Sequence, residues 1–160
     1  MSEFTFRRAE LRDLDAIYTL SNERFVRNNS IHPEDIIYSD HAKWFHNILS
    51  NENVAFLVVE IDNSFAGQVK FVLDRDQAII SLSLINSQRG QGLGSNIIEE
   101  AVKYLVDNKK GIEKIIAYVK SENIASVKSF EKAGFSYTRC ETVMSTLLNR
   151  YEKLIPGRKL

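Results

Sequence analysis

The segment Gln88-Arg89-Gly90-Gln91-Gly92-Leu93-Gly94 sets three glycines at alternate positions between two runs of opposite texture. Before it, Ala78 to Ile85 alternates Ile80, Leu82 and Leu84 with Ser81 and Ser83, the period of a strand with one apolar face. After it, Ile97, Ile98, Ala101, Val102 and Leu105 form a helical stripe, with Glu99 and Lys103 as an i,i+4 pair on the opposite side. Strand, glycine turn and helix in this order leave the first N–H groups of the helix without acceptors, at the positive end of its dipole. Such a turn is built to receive a phosphate or pyrophosphate. Two common nucleotide turns are excluded. Ser95-Asn96 follows Gly94, so no lysine is placed to reach a terminal phosphate. Ser95 also stands where a dinucleotide fingerprint needs its third glycine.

The remaining pattern places this segment in the middle of a longer order of elements. Phe4 to Arg8 alternates as a strand, and Leu11, Leu14, Ile17, Tyr18 and Leu20 follow at helical spacing. Residues 22 to 39 lose any period and read as a loop with at most short helical turns; a second helix is expected from Asp40 to Leu49. Val54 to Ile61, Phe65 to Leu73 and Ala78 to Ile85 read as three consecutive antiparallel strands joined by Asp62-Asn63-Ser64 and Asp74-Arg75-Asp76. Beyond the glycine turn come a helix ended by Gly111, a strand at Lys114 to Val119, a helix at Asn123 to Lys132 capped by Gly134, and a strand at Phe135 to Thr142. In the tail, Arg150 to Ile155 is expected as an edge strand. Two prolines and no linker-like stretch among 160 residues predict one domain spanning 1–160. The 21 basic and 21 acidic side chains cancel, which argues against nucleic acid or an anionic membrane held by bulk charge. The lone Cys140 predicts neither a disulfide nor a cysteine metal site, and together with the absence of a long apolar run points to the cytoplasm.

Arg89-Gly90-Gln91-Gly92-Leu93-Gly94 resembles the acetyl-CoA loop of the GNAT superfamily of N-acetyltransferases, Gln/Arg-x-x-Gly-x-Gly/Ala. Asn123-Ile124-Ala125-Ser126 and Ala133-Gly134-Phe135 stand where that family has its Asn-x-x-Ala/Ser and Gly-Phe segments. The resemblance implies an α/β (α+β) fold with a mixed, mostly antiparallel sheet of six to seven strands and helices on both faces. It also implies acetyl-CoA as co-substrate, no metal, and direct attack by a primary amine. By the same resemblance Arg89, Gly90, Gln91, Gly92, Leu93, Gly94 and Ser95 would wrap the pyrophosphate. Leu84 and Ile85 would pair with the pantetheine arm, Asn123 would bond it, and Ser126 and Phe130 would line its thiol end.

At Phe130 the family often carries a tyrosine that protonates the leaving thiolate, and phenylalanine has no proton to give. Tyr137 is the first substitute and Tyr118 the second, unless the thiolate leaves unassisted, which a thiol pKa of about 8.5 tolerates. Glu23, His32 and His41 are candidates for the base, with Ser81 and Ser83 as relays; each also reads as an ordinary surface or strand residue. Residues Asn22 to Ser30, His41 to Phe45, Gly67 to Lys70 and Ser81 to Ser83 resemble the GNAT enzymes that acetylate UDP-linked 4-amino-dideoxy sugars of the pseudaminic and legionaminic acid pathways. In that reading Arg24, Arg27 and Lys43 meet the diphosphate and Trp44 stacks on a base or sugar, though Trp44 at helical spacing with Phe45, Ile48 and Leu49 also reads as core. Peptide N-termini, including those of ribosomal proteins, and other small amines stay open as acceptors. So does a sensor that binds acetyl-CoA without turnover, and the tail stays open either to close the acceptor site or to pair in a homodimer.

Overall fold

The computed structural model describes residues 3–157 of the chain. Met1, Ser2 and the last three residues of the tail lie outside the described residues. In chain order the elements are β1 (Phe4–Arg8), α1 (Leu14–Ser21), α2 (Arg24–Asn28), α3 (Tyr38–Leu49), β2 (Val54–Ile61), β3 (Ser64–Asp74), β4 (Gln77–Leu84), α4 (Leu93–Asn108), β5 (Lys114–Val119), α5 (Ile124–Lys132), β6 (Ser136–Val143) and β7 (Thr146–Leu154). One sheet holds seven strands in the order β1-β2-β3-β4-β5-β7-β6. Every neighbouring pair runs antiparallel except β4 and β5. This is the mixed, mostly antiparallel sheet expected of the sequence.

Strand alternation divides the core. Leu57 and Val59 of β2 with Val69 and Phe71 of β3 face α4, whose Ile97, Ile98, Ala101 and Leu105 are buried on them; Phe130 and Ala133 of α5 join the same layer. Phe56 and Val58 point the other way and are covered by Ile17 of α1 and Phe45 of α3. Helices therefore lie on both faces. Each buried aliphatic or aromatic side chain contributes roughly 1.5–3 kcal/mol by removal from water, so the larger α4 layer fixes the sheet and the smaller α1–α3 layer leaves part of its face open. On that second face Val72, Ile79 and Ser81 remain exposed.

Several boundaries moved. The segment expected as a loop with at most short helical turns holds the five-residue α2, and α3 begins at Tyr38 rather than Asp40. The first helix is a 3-10 turn at Leu11–Asp13 leading into α1. The tail departs most: the expected edge strand at Arg150 is the longer β7, inserted between β5 and β6, and β6 is the edge. Burial explains the exchange, because β7 carries the buried Leu148, Arg150 and Tyr151 while β6 has no buried residue. The β6–β7 turn places Met144 at φ 48° and Ser145 at φ 66°. This tight turn is normally signalled by Asn-Gly, which the chain lacks there.

The parallel pair is short. β4 and β5 are in register only at Gln77–Lys114, Ala78–Ile115 and Ile79–Ile116, after which they part. On the far side of the sheet, β1 is pinned to the start of the helical layer by Arg7. Its Nη1 and Nη2 donate to both oxygens of Asp13 at 2.8 and 2.7 Å, and the Glu10 backbone N–H also donates to Asp13. Burial alone would raise the Asp13 carboxyl, but the Arg7 guanidinium and the Glu10 N–H hold it below its ordinary range. The stabilisation is present at neutral pH and is lost as pH falls through that depressed value. Asp13→Asn is expected to cost about 2–3 kcal/mol at pH 7 in denaturant unfolding. The gap from the parent protein should narrow as the pH is taken below about 4; a gap independent of pH would contradict this ion pair.

Candidate active site

Past Ile79 and Ile116 the two central strands leave an opening whose walls are Ile80–Leu84 and Ala117–Val119. Ile85 donates its N–H to Ala66 O at 2.9 Å, so the alternation of an antiparallel ladder turns the backbone of Leu82 and Leu84 away from β3 and into the opening. These N–H and C=O groups can pair with an extended amide-bearing arm, and one N–H can polarise a thioester carbonyl. Ile85 itself corrects the expectation from sequence. It lies beyond β4, and its N–H is already committed to Ala66.

The glycine turn follows at the head of this opening. Gly90 and Gly92 adopt φ of 73° and 74°, and Gly92 is the N-cap of α4 with no side chain capping it. A Cβ on either would meet no atom within 4 Å, so the space over the turn is free for a ligand to approach the backbone. Gly94 has a different reason to be glycine: a Cβ there would stand 2.7 Å from Ser129 Oγ, so it lets α4 pack against α5. The residues therefore fit a pyrophosphate on physical grounds, with free donors, a helix N-terminus and an open approach.

The arginine of the turn is held from across the opening. Arg89 is ion-paired with Glu23, and its guanidinium lies 4.5 Å from the centroid of Phe25. Lys120 at the end of β5 donates to Asn28 O at 2.9 Å. The short helix α2 thus touches both sides of the opening. Asn123 caps α5, its Oδ1 accepting from Ser126 N at 3.3 Å, which leaves its amide NH2 for an outside partner.

The other sequence candidates divide sharply. Ser83 is half-buried on β4 and Ser81 exposed, both on the face opposite α4. His41 is buried among Tyr18, Trp44 and Phe45, and burial pushes its basicity down against a hydrogen bond with the Leu14 backbone. Phe130 is buried edge-on against Phe135 at 5.1 Å between ring centroids, inside the α4 layer and not on an open wall. Tyr137 is on β6, two strands from the opening, with its hydroxyl on Cys140. Arg24 is paired with Asp35, and Arg27 is consumed by Ser21 O, His32 O and Ser30 Oγ, which shape the 22–36 segment. Lys43 is exposed, and Trp44 is 40% exposed while also touching Phe45 and Phe56.

Sequence reasoning took Gln68 and Lys70 only as part of the Gly67 to Lys70 resemblance and gave Arg150 no role. Lys70 of β3 lies opposite Ser81 and places its Nζ 5.0 Å from the Trp44 ring centroid. No carboxylate pairs with it among the described residues, and burial lowers its basicity. Next to it Gln68, opposite Ser83, has an Oε1 with no hydrogen-bond partner. Across the opening, Arg150 of β7 is buried and binds Glu152, Glu141 and the Tyr118 hydroxyl. Lys70 within a mostly apolar strand was the one visible signal; Arg150 stood at the start of the expected edge strand, where the sequence does not show its partners.

The acetyltransferase (GNAT) domain family matches residues 3–136. The chain belongs to the GNAT acetyltransferases. It is an acetyl-CoA-dependent N-acetyltransferase by family, and its sheet and helices have the GNAT fold. YwnH of Bacillus subtilis (strain 168), provisionally described as a phosphinothricin acetyltransferase, is 27% identical over 98% of this chain and 99% of its own. Among solved structures, the aminoglycoside acetyltransferase AAC(6')-Ib with coenzyme A superposes at a TM-score of 0.83, 18% identity and 95% of each chain. A spermidine N-acetyltransferase from Vibrio cholerae, with CoA and spermine, superposes at 0.83 and 20% identity over 94% of this chain and 95% of its own. The open turn and the parted strands leave room for a phosphate-bearing cofactor with an extended arm. Gly92→Val, which forces a side chain into φ 74° over the turn, is expected to weaken CoA binding at least about tenfold in calorimetry. Unchanged affinity would contradict this placement.

Proposed function

We propose that the acceptor is a primary amine carrying negative charge, and specifically the 4-amino group of a UDP-linked dideoxy sugar. One observation carries the reading: Lys70 stands on the sheet face away from α4 with an aromatic ring, and no carboxylate among the described residues, as its neighbour. Glu23 beside the opening is neutralised by Arg89, and Glu141 and Glu152, on the strands beyond β5, are neutralised by Arg150. A polycationic acceptor would meet an unpaired cation and no free acid, an unfavourable field in a partly dry site. A nucleotide-linked sugar instead offers a diphosphate to Lys70, with Lys43 on the same helix as Trp44, and a ring or base to the exposed indole.

The cofactor arm would lie between Leu82–Leu84 and β5, with its pyrophosphate over Arg89 to Ser95 and Asn123 bonding the pantetheine. Ser83 and Gln68 are the polar groups nearest to where the amine would enter, and they suit a relay of its proton to water. Glu23 can act as a base only after Arg89 transfers to the phosphates. An exposed, unpaired Cys140 suits a reducing compartment, and we place the enzyme in the cytoplasm as one domain. A compact amino acid with an acidic group is the second reading, favoured by the full-length match to YwnH.

The test is thiol release from acetyl-CoA with UDP-4-amino-dideoxy sugar, phosphinothricin, spermidine, kanamycin and a peptide with a free N-terminus. Turnover is expected with the nucleotide sugar. Lys70→Met should raise its KM about tenfold with kcat little changed. Release with spermidine or kanamycin alone would overturn the reading.

A further inference from the structure

The chain lacks a proton donor at Phe130, which is sealed against Phe135. Another hydroxyl stands at the opening. Ile79 and Ile116 are the last paired residues of β4 and β5, and two residues further along each strand, on the same face, come Ser81 and Tyr118. Tyr118 is therefore on the lip of the opening, on the sheet face away from α4 that also carries Ser81 and Ser83. Its Oη accepts a hydrogen bond from Arg150 Nη1 at 3.2 Å, and the guanidinium centre lies 5.9 Å from the ring centroid. A guanidinium only donates, so this bond orients the phenol while leaving the phenol's own proton free to be given elsewhere.

Arg150 is built to stay charged at this place. Burial works against its charge, but Glu152 Oε2 at 2.7 Å and Glu141 Oε2 at 3.3 Å outweigh it and raise its basicity. Lys114 in turn pairs with Glu152 at 3.3 Å. The result is a fixed cation touching the oxygen that would become negative once its proton leaves.

We propose that Tyr118 is the catalytic residue that protonates the departing sulfur, and that Arg150 is its positioning residue. The amine nitrogen forms a bond to the thioester carbonyl carbon, and the C–S bond then breaks with its electron pair on sulfur. Sulfur takes the Tyr118 proton and leaves as the thiol. The proton lost by nitrogen passes to water, and water returns one to the phenolate that Arg150 has stabilised. No oxidant or further reactant is needed. The proposal rests on acetyl transfer itself and not on which amine accepts.

Tyr118→Phe and Arg150→Lys would be compared with the parent protein on the amine that the five-acceptor panel shows to be turned over. The parent's turnover there is read separately, so a wrong acceptor and a wrong proton donor give different results. Tyr118→Phe is expected to lower kcat about 100-fold, leave the KM for acetyl-CoA within about twofold, and abolish the solvent isotope effect on kcat. Arg150→Lys, which keeps a cation but not the forked geometry, should lower kcat less, again without a change in KM. A kcat for Tyr118→Phe within about threefold of the parent, a persisting isotope effect, or a loss confined to CoA binding would each overturn the proposal.

Discussion

Everything at the site depends on where the parallel pairing of β4 and β5 stops. Three residue pairs hold the strands together, and beyond Ile79 and Ile116 the backbone of Leu82 and Leu84 faces a gap instead of a neighbour. A buried strand that loses its partner leaves N–H and C=O groups whose loss of hydrogen bonds costs free energy, so the gap favours a ligand that is itself extended and bears amides. The core keeps the gap from closing. Ala78 and Ile80 on β4, with Ile115, Ala117 and Val119 on β5, are buried against the α4 layer, so both strands are fixed from below as they diverge. From the side, α2 reaches both edges through Glu23–Arg89 and Asn28–Lys120.

Charge is arranged locally, and the zero net charge of the chain hides that arrangement. The turn over α4 would offer a phosphate its backbone donors and Arg89, which requires no basic surface. Glu23, Glu141 and Glu152 are spent on arginines, while among the described residues Lys70 has no carboxylate partner and Gln68 Oε1, on the same side of β3, has no hydrogen-bond partner. Because Arg89 is paired with Glu23, a phosphate that drew Arg89 away would also release that carboxylate beside the opening.

The sequence was legible where a local rule had no competitor. β5 begins and ends where its β-branched run does, the αL glycine at 134 closes α5, and the turn at 90–92 has the left-handed backbone that its glycines foretold. It misled where partners distant in sequence decided the outcome. β7 is central because β5 lies on one side of it, and the Met144-Ser145 turn gives no glycine signal. His41 and Phe130 look chemical in one dimension, yet the folds of α3 and α5 bury them. On paper Tyr137 ranks ahead of Tyr118 as a phenol; strand order puts the first at the sheet edge and the second at the gap. Arg150 was invisible because its meaning lies in three partners on β5, β6 and β7.

The most direct measurement is amide hydrogen exchange along the chain with and without CoA. If the cofactor completes the sheet in the gap, the N–H groups of Leu82 and Leu84 and those from Gln91 to Ser95 should slow on CoA addition. The N–H of Ile85, already bonded to Ala66, should be slow in both states. CoA binding that leaves Leu82 and Leu84 exchanging as before would contradict the account.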